Sequence, residues 1–544
     1  MKKLCILALA AIGLATAPAS VAGEPKWLSG DFHQHTWYTD GGTSFDYVMA
    51  RNAEFGLDWW ANSEHGGSRN RDGNNQYWDV AYPAGTILGA LQLSGNHRVM
   101  WRWQSLRDFV YADVARNRAV YPDKTIFSGV EWNVPGHEHC SVGIVAQNAD
   151  AVAAFEYMFD TSDVDFSREG EVTPYGTLSK QNGRYNFSQG PSSVRYSSKA
   201  YPERHADSVA ACAWMQQQLE QSTIDNGWIV FAHVERAGDW DATSGGGYNV
   251  EHFRDYNNAG PNTCVGFEGA PGHQVNELRG LGNLEFGGTY GGVGYYTAQV
   301  GGLWDALLGE GRRFYNYASS DYHLHYTAGG DDFFPGEYQR NWVKADDADG
   351  DGTYSLNEIA NALRAGRSFF VQGDLVNSLD FSLKAKNRGV AEMGGTLVAQ
   401  RGDAVQLTIK FKSPAINANG DTPVVDHVDL IMGEYGTKID PTDPRYTDPT
   451  NPTTAVIATF DRNSWRTDAD GNTVISYAYK VQSARNVYFR LRGTNFAPCT
   501  EFETDCQGNP LQDNLVTENL GIDGADEAWR DLWFYSNPIF LEVR

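Results

Sequence analysis

Residues 30–41 read GDFHQHTWYTDG. In an extended strand alternate side chains face the same way, so His33 and His35 can bind one metal ion side by side. Asp40 follows in a turn. Taken alone, the pair could equally be two surface histidines on one strand. The rest of the chain decides between the two readings.

Four further stretches repeat the combination of a strand ending with an imidazole or a carboxylate. WWANSEHGG (59–67) is an apolar strand that ends in Glu64 and His65. In TIFSGVEWNVPGHEHCSVGIV (125–145), Glu131 ends one strand, and His137 and His139 open the next. His233 ends the strand in WIVFAHVERAG (228–238), and in RFYNYASSDYHLHY (313–326) Asp321 and His323 share one face. A single strand-end histidine is usually structural. Five such groups together point to a metal centre at the ends of α/β strands, where catalytic residues of such folds emerge. His97, His205, His252, His273 and His427 stand apart from these groups and read as structural.

Around these groups, residues 27–375 mix apolar strands with helical stretches. SFDYVMARNAEFGLDWWANSEH reads as a helix followed by a strand, an alternation that indicates an α/β fold. Residues 66–105, rich in Trp, Tyr, Arg and Asn, and residues 240–300, rich in Gly and aromatics, read as long loops over one face. Beyond residue 376 the texture changes. AVQLTIKFKS, HVDLIMGE, TAVIATFD, TVISYAYKV and NVYFRLRG alternate apolar and polar residues between Pro, Asn, Asp and Gly, the pattern of an antiparallel β-sandwich. The expected units are therefore a leader at 1–22, an α/β unit at 23–375 and a sandwich at 376–544. The leader has two lysines, a short apolar run and a small-x-small Ser20-Val21-Ala22, the form of a signal peptide. It implies export to a periplasm or beyond, and no second apolar run is long enough to anchor the chain in a membrane. The formal net charge of −25 argues against nucleic acid as a partner. Of the cysteines after the leader, Cys499 and Cys506 are close enough to close a short disulfide loop; Cys140, Cys212 and Cys264 cannot be paired from sequence.

HxHxxxxD, the Glu-His pair, GxE followed by His, a strand-terminal His and SDxH occur here in that order, and the set resembles the polymerase and histidinol phosphatase (PHP) family over about residues 29–375. LRAGRSFFVQGD and WFYSNPIFLEV resemble its secreted branch with a trailing β-sandwich. The resemblance implies a distorted barrel of about seven βα units with a site at the C-terminal ends of its strands, binding two or three Zn, Mn or Fe ions. Carried over, the ligands are His33, His35, Asp40, His65, Glu131, His139, His233, Asp321 and His323, with Glu131 as the bridging carboxylate. The HEH run leaves His137 or His139 open as the ligand, with His139 preferred because the apolar strand begins directly after it. Glu64-His65 departs from the family's more frequent Asp-His, and His325 falls outside the pattern. Two such ions can lower the pKa of a shared water towards neutrality and balance charge on phosphoryl oxygens. Asp321 is the candidate proton acceptor and Arg236 the candidate phosphate-binding cation; Arg69, Arg71, Arg98 and Arg102 are others.

The implied activity is hydrolysis of a phosphomonoester or phosphodiester of a small molecule. The alternatives are a carboxylic or carbamic ester or amide hydrolase on the same site, suited by the aromatic residues Trp59, Trp60, Trp78, Trp101 and Trp103, or a secreted binding protein held by calcium. The calcium reading rests on DADGDGTYSLNE (347–358). It matches a twelve-residue EF-hand loop with Asp347, Asp349 and Asp351 at positions 1, 3 and 5, Gly352 at 6, the Thr353 carbonyl at 7 and Glu358 at 12. A helix follows it, whereas EYQRNWVKAD makes a poor entering helix. The sequence leaves the substrate, the native metal and the oligomeric state open.

Overall fold

Strand Lys26–Asp31 leads into the first two histidines, and it lies inside a mixed sheet of eleven strands. It runs antiparallel to Gln339–Ala345 on one side and parallel to Trp59–Ala61 on the other, which in turn pairs with Thr125–Phe127. The computed structural model describes residues 23–181, 199–272, 288–513, 521 and 524–544; the leader and His273 lie outside the described residues. A second sheet of five strands runs Tyr315–Ser319, Cys264–Pro271, Asn226–Phe231, His139–Val145, Gly129–Asn133. Its first three strands are parallel, while Asn226–Phe231, His139–Val145 and Gly129–Asn133 are antiparallel neighbours. The chain is thus mixed α/β, with strands outnumbering helices. The helix and strand expected in residues 44–65 are Phe45–Glu54, capped by Ser44, and Trp59–Ala61.

Isolated bridges stitch the two sheets together at one end. Gln34 pairs with Tyr322, and His65 with Glu131. The same connection is made by the backbone N–H of His35 donating to the Tyr322 carbonyl at 2.8 Å, and by that of Glu131 donating to Glu64 at 3.1 Å. These bridges fall at the metal-ligand positions, so the strand ends that carry imidazoles are brought into one place.

All five C-terminal segments with alternating patterning are strands: Ala404–Lys412, His427–Tyr435, Ala455–Phe460, Thr473–Lys480 and Asn486–Thr494. They are divided between two sheets. Ala404–Lys412 and Thr473–Lys480 belong to a third, antiparallel sheet of five strands, whereas Asn486–Thr494 belongs to the same eleven-stranded sheet as Lys26–Asp31. The link passes through Ser368–Gln372 and Trp533–Ser536, paired at Phe369–Ser536. Position 376 is therefore no break in the hydrogen-bonded framework. Alternation reports which face of a strand is buried; it says nothing about which sheet the strand joins.

Trp59, Trp60, Trp78, Trp101 and Trp103 are all buried, at 0–2% exposure. They are core, so these five indoles offer no stacking surface for a substrate. Gly30 permits this packing, because a Cβ there would run into the Trp59 indole. A buried ion pair ties the second half of the chain to the first. Arg490 donates to both Asp305 carboxylate oxygens at 2.9 and 2.7 Å, with both side chains at most 1% exposed. Cys499 and Cys506 are disulfide-bonded; Cys140, Cys212 and Cys264 are free and buried.

Removing one partner of a buried pair strands the other charge, at a cost of about 3–5 kcal/mol. An Arg490→Ala chain should therefore lose that much stability in denaturant titration, with both halves melting in one transition. A loss under about 1 kcal/mol would show that Asp305 finds another partner.

Candidate metal centre

Asp31 sets the backbone from which His33 and His35 project. One of its carboxylate oxygens accepts the His33 N–H at 2.8 Å and the other the Ser320 N–H at 2.7 Å, and the Ser320 hydroxyl donates back to the His33 carbonyl at 3.1 Å. The ends of strands Lys26–Asp31 and Tyr315–Ser319 are thereby locked together. His233 and Asp321, which follow Asn226–Phe231 and Tyr315–Ser319, both hold positive φ, at 53° and 44°. Left-handed backbone in non-glycine residues costs roughly 1–3 kcal/mol and clusters at functional sites. Here it turns two side chains inward at strand ends.

The side chains meet around Glu131. Its two carboxylate oxygens lie 3.1 Å from His33 Nε2, 3.2 Å from His35 Nε2, 2.8 Å from His65 Nδ1, 2.9 Å from His139 Nδ1 and 3.4 Å from His233 Nε2. Asp321 lies 3.2 Å from both His33 Nε2 and His35 Nε2, and 3.5 Å from His233 Nε2. Asp40 reaches His65 at 3.3 Å and His323 at 3.4 Å. All nine residues expected as ligands are thus gathered, and His139, not His137, is the one beside Glu131. They fall into overlapping groups with ligand atoms close enough for one ion each, among them His35–Asp40–His65–His323, His33–Glu131–His233, His33–His35–Asp321 and His65–Glu131–His139. Burial is graded: His33, His35 and Glu131 are fully buried, whereas the Asp40 side chain is 49% exposed. Asp40, His65, His139 and His323 form the open side.

The donor set fits divalent cations. His33 Nδ1 faces the acceptor-only Glu268 carboxylate at 2.9 Å, so that nitrogen carries the hydrogen and Nε2 turns a lone pair on Glu131 and Asp321. His33 Nε2, both nitrogens of His35, His65 Nδ1 and both oxygens of Glu131 are buried without a hydrogen bond. Each such group costs about 1–3 kcal/mol if left unsatisfied. One or more cations between them would satisfy the lone pairs of this set, one His35 nitrogen carrying its hydrogen, and nitrogen with carboxylate oxygen suits Zn, Mn or Fe.

Charge is arranged accordingly. Burial alone would lower His65, but Glu131 and Asp40 carry it up to about 10. Burial likewise opposes the charged forms of His33 and His35, and the surrounding carboxylates raise both; Glu131 goes well below the carboxylate range against its own burial because His65, His33 and His139 surround it. His233 differs. Burial and then Arg236 hold it down at about 4, so it is a neutral ring at pH 7.

Several side chains support the ligands, and sequence reasoning passed over the chief one. Glu268 is fully buried in strand Cys264–Pro271, accepting from His33 and from the hydroxyls of Ser141 at 2.8 Å and Ser319 at 2.5 Å. An acid within the apolar run CVGFEGAP was the available signal. Glu64 turns to Thr36 and Thr39, fixing the turn that presents Asp40. His325 pairs with Glu337 at 2.9 Å and stacks on Phe334. Arg236 stands beside His139, 3.3 Å from its Nδ1, and pairs with Glu138 at 2.6 Å. Three of the other candidate arginines serve the fold. Arg102 is buried on the Tyr38 carbonyl, Arg71 lies over Tyr77 and Arg98 donates to the Gly89 carbonyl. His97 stacks on Tyr77 and pairs with Asp79. His205 and His252 gather around His137.

No protein-family model matches the chain, and no curated protein does. Among solved structures it is similar to a two-domain protein from Bacteroides vulgatus ATCC 8482 containing a predicted PHP-like metal-dependent phosphoesterase. The identity is 11%, the match covers 92% of this chain and 98% of that one, and the TM-score is 0.31. A likeness that distant carries no weight on fold or activity beside the geometry above.

Two outcomes follow for the purified chain. Because His65 is raised from 6.5 to about 10, its contribution to stability is fully present below pH 6.5 and lost as pH rises through about 10. The melting temperature of chelator-treated protein should fall over that window, and added Mn²⁺ or Zn²⁺ should restore it as metal replaces protons; a flat profile refutes this charge arrangement. Glu268→Gln should weaken metal affinity by about 10–100-fold, read by competition with a chromogenic chelator, as loss of a carboxylate behind a ligating histidine does.

Proposed function

We propose that this chain is an exported metal-dependent hydrolase that cleaves a phosphomonoester or phosphodiester of a small molecule at the Glu131 cluster. The observation that supports this most is Glu131 itself, a fully buried carboxylate with five histidines at 2.8–3.4 Å and no hydrogen bond on either oxygen. His33, His35, Asp40, His65, Glu131, His139, His233, Asp321 and His323 would hold two or three divalent ions of the Zn, Mn or Fe kind. Bound there, the ions would supply Lewis acidity towards water and the ester's anionic oxygens.

The protein's own groups define the rest. Asp321 Oδ1, 3.2 Å from two histidines, is the base we assign to take a proton from the attacking water. His233 remains neutral and positions the Asp321 carboxylate from the opposite side. Arg236, oriented by Glu138 at the rim beside His139, is the group assigned to meet a phosphate oxygen with its planar fork. Asp40, on the exposed side, marks the direction from which substrate arrives. Export, to a periplasm or outside the cell, is supported by the leader-like residues 1–22 and by the Cys499–Cys506 disulfide.

Calcium at 347–358 belongs to the same proposal. Asp347 accepts the N–H groups of Asp351 and Gly352, and Asp351 that of Thr353, which curls the loop. Strand Gln339–Ala345 enters it and helix Leu356–Arg364 leaves it, with Glu358 capping the helix start. Asp347, Asp349, Asp351, the Thr353 carbonyl and Glu358 would be the ligands, as a clamp on the fold and not a switch.

With Mn²⁺ or Zn²⁺, the chain from Gly23 onward should release p-nitrophenol from a phosphomonoester or phosphodiester. His33→Ala should cost at least about a hundredfold in kcat while the circular dichroism stays unchanged. Release from a carboxylic ester alone would replace the phosphoesterase reading with the other hydrolase class. Silence with no metal bound would favour a binding protein.

A further inference from the structure

Three more imidazoles converge outside the Glu131 cluster, on segments distant in sequence. His137 sits in the turn before strand His139–Val145, His205 on helix Tyr201–Glu220 and His252 in the first turn of helix Val250–Ala259. The ring centroids are 5.0 Å (137–205), 4.6 Å (137–252) and 4.6 Å (205–252) apart, and one nitrogen from each lies within 4.8 Å of the others.

The hydrogen positions say what belongs between them. His137 Nδ1 lies 2.9 Å from the Gly247 carbonyl oxygen, which can only accept, so Nδ1 carries the hydrogen and Nε2 a lone pair. His205 Nε2 lies 3.1 Å from the Asp255 carboxylate and so carries a hydrogen, while its Nδ1 lies 3.2 Å from the Tyr256 hydroxyl. His137 Nε2, with its lone pair, and His205 Nδ1 face each other across 2.9 Å, so a proton or a metal ion belongs between them. The backing of His137 by a carbonyl and of His205 by a carboxylate through the outer nitrogen is the arrangement found behind metal-ligating histidines.

We propose that His137, His205 and His252 form a second metal site, separate from the Glu131 cluster, that takes a single Zn²⁺. Three neutral nitrogens suit zinc and leave one tetrahedral position open. A shared proton is the competing occupant, but it joins two rings, and a metal ion accounts for the third. His252 Nδ1 accepts the Asn249 N–H at 3.0 Å, capping its helix. His137 and His205 are half-buried, which leaves the ion a way in. The site would pin two helices to the turn from which His139 enters the main centre, two residues further on.

The test uses the whole chain, stripped with chelator and titrated with Zn²⁺. Bound ions are counted by native mass spectrometry, and histidine accessibility is mapped by diethyl pyrocarbonate labelling of peptides. A His33→Ala/His35→Ala chain should still hold a zinc that protects His137 and His205 from labelling at least about tenfold. His205→Gln should bind one ion fewer than the unsubstituted chain, with its main-centre histidines still protected. An unchanged ion count in His205→Gln overturns the proposal. So does equal labelling of His137 and His205 with and without Zn²⁺, which would assign the space to a proton. The labelling comparison needs no substitution, so it decides even where His205→Gln fails to fold. Neither readout depends on hydrolytic activity.

Discussion

One fully buried carboxylate surrounded by imidazoles is the constraint around which this protein is built. Glu131 lies where two sheets meet, and its backbone is itself part of the joint, bridged to His65. An ionised carboxylate in that position, with neither oxygen hydrogen-bonded, is tolerable only if positive charge is close on several sides. Five histidines supply the places for it. The surrounding features follow from the need to hold them there: the Asp31 link between two strand ends, the left-handed backbone at His233 and Asp321, and Glu268 behind His33.

The grading of exposure across the cluster divides labour between its faces. The inner residues are completely enclosed and set by hydrogen bonds from neighbouring strands. The outer ones, Asp40, His65, His139 and His323, reach solvent. A low-dielectric floor strengthens each charge interaction, while the open side is the face that solvent reaches. For the anionic ester proposed as substrate, the chain's strong negative charge makes Arg236 at the rim matter more.

The C-terminal strands contribute rigidity more than chemistry. Asn486–Thr494 and Trp533–Ser536 extend the sheet that begins next to the site, and Arg490 inserts its guanidinium on Asp305 of helix Leu303–Leu308. The second half of the chain therefore braces the first through continuous hydrogen bonding and a buried ion pair, and the two are not joined by a mere linker.

Much of the centre was legible in the sequence. Residues at strand ends with the right donor atoms could be named because strand periodicity is local, and because polar groups that end apolar runs stand out against them. The alternating segments after residue 376 announced themselves as strands for the same reason. Tertiary structure alone decided the rest. It placed His139 and not His137 against Glu131, turned Glu268 onto His33, buried the tryptophans as core and carried one sheet across the expected boundary. It also gathered His137, His205 and His252 from positions that look unrelated in the chain. Sequence pattern reports which way a side chain faces relative to its own neighbours. Which nitrogen meets which carboxylate depends on strand pairing and helix packing between distant segments of the chain, and that information lies in the folded contacts.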